Sequence, residues 1–68
     1  MNTLALKARL TESGMTQRDV ADKIGLSLSR FNAKLNNTDD AEFSLGEVRA
    51  MMGVLKISAE QAAAIFFA

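Results

Sequence analysis

Residues 17–36 read QRDVADKIGLSLSRFNAKLN. Val20, Ala21 and Ile24 make an i, i+1, i+4 patch, and Phe31 and Leu35 an i, i+4 pair, so each half carries one apolar helical stripe. Between the halves stands Gly25, the residue that enters a left-handed turn without steric cost, and Leu26 follows it to plug the angle. Ala21 is small enough to let another helix cross closely. The stretch predicts two short helices folded steeply on one another.

Moving outward, the same punctuation recurs. Met15–Thr16 with Val20, Leu26–Ser27 with Phe31, Phe43–Ser44 with Val48 and Ile57–Ser58 with Ala62 each place an apolar residue before a capping hydroxyl and another at the fourth helical position. The hydroxyl accepts from first-turn N–H groups that have no helical partner, and the apolar pair staples the entry angle. Ser44 with Glu47, and Ser58 with Gln61, are full capping boxes. Proline is absent and Ala, Leu, Met, Lys, Arg, Glu and Gln dominate, which favours helix throughout. The reading is a single all-α domain over residues 1–68 with five helices at 3–13, 17–24, 28–36, 45–56 and 59–67. A loop at 37–43 precedes C-terminal segments, 44–67, that complete the core. Leu6 and Leu10, then Val48, Met51, Met52 and Leu55, then Ala62, Ile65 and Phe66, are the core stripes outside the central stretch. Gly53, inside the fourth helix, marks close helix approach or early fraying.

Composition excludes whole classes of function. At 68 residues the chain has room for one core and no enzyme-sized cleft. Histidine and cysteine are both missing, which removes disulfides, Cys/His zinc sites, thiol chemistry and histidine acid–base catalysis. No paired acids, glycine-rich phosphate loop or nucleophile–base set appears, so no catalytic residue, metal ligand, cofactor or small-molecule ligand is expected. The longest apolar run, residues 62–68, is too short to span a membrane, and no signal peptide is expected. A cytoplasmic protein is expected.

Residues 17–36 resemble the helix-turn-helix of lambda-repressor and Cro-like (XRE-type) phage regulators. That pattern has apolar residues at its fourth, eighth, tenth and fifteenth positions, a small residue at the fifth and glycine at the ninth; Val20, Ile24, Leu26, Phe31, Ala21 and Gly25 meet all six. The five-helix order is similar too, and the tail from Phe43-Ser44-Leu45-Gly46-Glu47 to Ile65-Phe66-Phe67 looks like that of short phage or prophage proteins. The resemblance implies a compact lambda-repressor-like domain that binds a double-stranded DNA operator and represses transcription, in a bacterial cell and on its nucleoid when bound. One departure is Lys34 at the commonly apolar eighteenth position, its stem covering core while the ammonium reaches out. Another is the acidic pair Asp39 and Asp40 just after the motif.

Charge bears on this reading independently. Residues 1–36 carry Lys7, Arg9, Arg18, Lys23, Arg30 and Lys34 against Glu12, Asp19 and Asp22, a net of +3. Residues 37–68 carry Arg49 and Lys56 against Asp39, Asp40, Glu42, Glu47 and Glu60, a net of −3. The neutral chain is polarised, and its basic half holds the motif. In such motifs the second helix enters the major groove with its N-terminal residues nearest the bases. That nominates Ser27, Leu28, Ser29, Arg30, Asn32 and Ala33 as base-reading residues, with Asn32 the bidentate partner for adenine and Leu28 and Ala33 facing thymine methyls. Leu28 also spaces with Phe31 and Leu35, so a core role stands beside the base-facing one. Gln17 and Arg18, at the start of the second helix, and Lys34 are candidate phosphate contacts; the resemblance implies another for Asn36. Arg18 reads equally as an ordinary solvated arginine.

Ile65, Phe66 and Phe67 are the candidate dimer interface, since a single reader helix spans few base pairs and such regulators pair about a two-fold axis. The plainer reading folds both phenylalanines into a small core. A protein-interaction module on the same fold, an antirepressor or accessory phage factor, is the alternative function.

Overall fold

A computed structural model describes residues 1–67 of the chain. The described residues form five α-helices, α1 (Thr3–Ser13), α2 (Gln17–Ile24), α3 (Leu28–Leu35), α4 (Leu45–Leu55) and α5 (Ala59–Phe66), and no strand. Each helix opens on a side-chain cap. Asn2 Oδ1 accepts from Ala5 N–H, and Thr16, Ser27, Ser44 and Ser58 do the same for Asp19, Arg30, Glu47 and Gln61. Reciprocal bonds complete capping boxes at Ser44/Glu47 and Ser58/Gln61, and a third at Thr16, where the shorter Asp19 takes the place of glutamate.

The helix ends are where the expected limits shift, by one residue each. α3 stops at Leu35 with Asn36 as its cap, α4 at Leu55, and α5 at Phe66 with Phe67 as its cap. Ala68, the end of the apolar run, lies outside the described residues. At α2 the end is a Schellman motif: Gly25 sits at φ 80°, its N–H reaches Asp22 O, and Leu26 N–H donates to Ala21 O at 2.9 Å. The end of α4 repeats this without glycine. Lys56 takes φ 55°, and Ile57 N–H donates to Met52 O at 3.1 Å. The loop after α3 is more ordered than a plain connection, with a 3-10 turn at Thr38–Asp40 and left-handed Asn37, Asp39 and Asp40. Asn and Asp tolerate that region better than other non-glycine residues.

Thirteen apolar side chains form the buried core, led by the fully enclosed Phe31, Leu6, Leu35, Met51 and Val20. Burying a side chain of this size contributes roughly 1.5–3 kcal/mol, so a small domain without staples rests on these few. Leu26 closes the α2–α3 angle at 9% exposure, and Ile24, Met52 and Phe66 pack half-buried at the edge. α2 packs on α3 and α4, while α1 and α5 pack together and on α4. Gly53 does not mark a close approach. A Cβ there would meet nothing within 4 Å.

Candidate nucleic-acid interface

α3 is held at both ends and along one side. Ser27 caps its start, Thr3 Oγ1 donates to Leu35 O at its end (3.2 Å), and the Phe31–Leu35 stripe fixes which face is inside. With 3.6 residues per turn, Ser29, Asn32, Ala33 and Asn36 then share the outward side, flanked by Arg30. Ser27, Ser29, Arg30 and Asn32 are exposed, whereas Leu28 and Ala33 are half-buried. Leu28 therefore gives part of its surface to the protein and part to solvent. Asn36 Nδ2 donates to Asn32 Oδ1, which steadies the Asn32 amide and leaves its two N–H donors and a second oxygen lone pair unused.

Lys34 is the departure from expectation. Its ammonium does not reach outward but binds both Glu47 oxygens, at 2.7 and 2.9 Å, with the two side chains only 15% and 17% exposed. The reason is geometric. The Ser44 capping box has already anchored the Glu47 carboxylate against Ser44 N–H at 2.8 Å, within reach of the last turn of α3. Lys34 thus clamps α3 to α4. Burial pushes the Glu47 carboxyl up, but hydrogen bonds from Lys34 and Ser44 outweigh it and leave the group below its usual range. Asp19 is also lowered, chiefly by the Thr16 backbone N–H that it accepts.

At the other end of the motif, Gln17 is half-buried and Arg18 exposed. Gln17 lines a shallow cleft of about 280 Å³ with Lys7, Leu10, Thr11 and Met15. Lys7 was not legible as a member of this group, because it comes from α1 and only packing brings it to the start of α2. Arg9, its neighbour in sequence, is instead paired with Glu12 at 2.7 Å.

The candidate dimer strip divides. Ile65 is core, at 5% exposure, so it has no surface to offer a partner; the stripe on α5 is wide enough that spacing alone did not separate inner from outer residues. Phe66 is half-buried and stacks edge-on against Phe43 at 6.0 Å, and Phe43 in turn meets Phe31 at 5.5 Å. Only Phe67 stands out, 69% exposed.

Among the described residues no group of acidic, Cys or His side chains is placed to hold a metal ion, and no helix is long and apolar enough to cross a membrane. No family model, curated protein or solved structure matches this chain.

Proposed function

We propose that this chain is a sequence-specific double-stranded DNA-binding protein of the lambda-repressor-like helix-turn-helix type, a phage-type transcriptional repressor that blocks a promoter by occupying it. The observation that carries the reading is the α2–Gly25–Leu26–α3 unit. Its Schellman turn and buried Leu26 fix the two helices, and α3 is left with a solvent-facing row of Ser29, Asn32 and Ala33 beside Arg30. A helix presents that row to base edges in the major groove, where an asparagine amide pairs with adenine through one donor and one acceptor. Gln17, the free N–H groups of the first α2 turn, Lys7 and Arg18 hold the phosphate backbone. Arg30 serves phosphate or guanine. Lys34 is withdrawn from that set by Glu47 and acts as a clamp.

With Lys7, Arg18 and Arg30 as the cations in play, the slope of log affinity against log salt is about −2 to −3. Affinity per domain is correspondingly modest, and two copies on an inverted repeat would supply the rest. The chain acts where the host chromosome or phage DNA is exposed, in the bacterial cytoplasm.

An NMR titration of the isotopically labelled chain with a mixed-sequence duplex of about two helical turns tests this at low salt. Amides at 17–18 and 27–33 should shift while those of α5 stay in place. Shifts confined to α5 or the 37–43 loop, or none, would overturn it.

A further inference from the structure

A second face is built differently. Phe43, Val48, Phe66, Phe67 and Met1, together with Asn37 and Glu42, line a cleft of about 190 Å³ between the loop after α3 and the end of α5. Its floor is stiff, because Phe66 and Phe43 continue the edge-to-face stack that starts at buried Phe31. Its lip is apolar and unpartnered, with Phe67 69% and Met1 38% exposed. The volume lies below the roughly 300–1,000 Å³ of small-molecule pockets, and suits an inserted side chain better than a metabolite. Hot-spot anchors of protein interfaces are held in pockets of this kind.

Charge decides the occupant. No lysine or arginine lines the cleft, Glu42 does, and the loop joining Asn37 to Glu42 presents exposed Asp39 and Asp40. None of these three carboxylates has an ion-pair partner among the described residues. Two copies meeting here about a two-fold axis would set these acids against each other, which costs affinity. We propose that this cleft docks a basic amphipathic segment of another protein, one aromatic or long aliphatic side chain filling the cleft while flanking Lys or Arg residues face Asp39, Asp40 and Glu42. No residue of the cleft belongs to the DNA-reading set, so this inference stands or falls apart from that one.

Selection from a displayed library of random peptides on the full chain tests it, with Phe67→Asp and Glu42→Lys variants as counter-targets and their helicity checked by circular dichroism. Both positions are exposed, so neither change disturbs the core. The expected outcome is enrichment of peptides with one large apolar residue among Lys or Arg. They should shift the amides at 37, 42–43 and 66–67 and lose at least about tenfold in affinity on either variant, about 1.4 kcal/mol. Peptides lacking basic residues, binding to either variant as tight as to the unaltered chain, or no enrichment would overturn it. So would self-association at NMR concentrations that shifts the same amides without peptide, which would make a second copy the occupant.

Discussion

Asn32 is one residue doing two jobs. Its oxygen accepts from Asn36, the residue that caps the end of α3, and the rest of its amide faces solvent. Asn32→Ala removes only exposed contacts, so stability should hold within about 0.5 kcal/mol. Affinity for a selected duplex should fall by about 1–3 kcal/mol, and the preference for adenine at one position should relax. Anisotropy titrations against the selected site and its single-base variants would show both. At Glu47 the argument concerns folding. Its folded pKa lies below the unfolded value, so the stabilisation is complete above the ordinary glutamate value of about 4.3 and is lost as pH falls through the folded one. Glu47→Gln should cost about 1–2 kcal/mol at neutral pH by breaking the Lys34 clamp, and in unfolding curves the gap to wild type should narrow as pH falls below the ordinary glutamate value. A constant gap between the two proteins across that range would contradict the assignment.

At the scale of the helix, what was legible is what is local. A cap is a contact between a residue and its third neighbour, so Ser44 with Glu47 and Ser58 with Gln61 announce helix starts in the sequence itself. Ends are harder to read when no glycine marks them. Lys56 closes α4 in a left-handed conformation that its residue type does not advertise, which is why the sequence pattern places the end of α4 one residue too late. The Lys34–Glu47 clamp spans 13 positions and exists only because α3 packs beside the start of α4, so no local pattern reveals it. Two substitutions follow from the same reasoning. Gly53→Ala fills open space in a helix interior and should stabilise by about 0.5–1 kcal/mol. Lys56→Gly relieves a left-handed non-glycine residue and should give a similar gain. Each should raise the melting temperature by a few degrees, read by circular dichroism; a fall at Gly53 would mean that this face of α4 is needed bare.

Across the whole molecule, zero net charge conceals two halves of opposite sign, and the two candidate surfaces fall on opposite sides of that division. The row on α3 that is proposed to read DNA lies in the basic half, and its outward placement was legible, since Phe31 and Leu35 fix the inner face and the outer one follows. The aromatic cleft was legible only as a surplus of phenylalanine near the end of the chain. Its depth depends on Phe43, Phe66 and Met1 meeting from three separate segments, which only the folded chain brings about. Ile65, expected both in the core stripe and in the dimer strip, is held to the first role by the same folding. The central claim remains that α3 reads sequence. Selection of bound duplexes from a random DNA library, at low and at near-physiological salt, tests it most directly. The account predicts one enriched short motif, singly or as an inverted repeat about one helical turn apart, that persists at the higher salt. Retention at low salt without any enriched motif, or no retention at all, would contradict it.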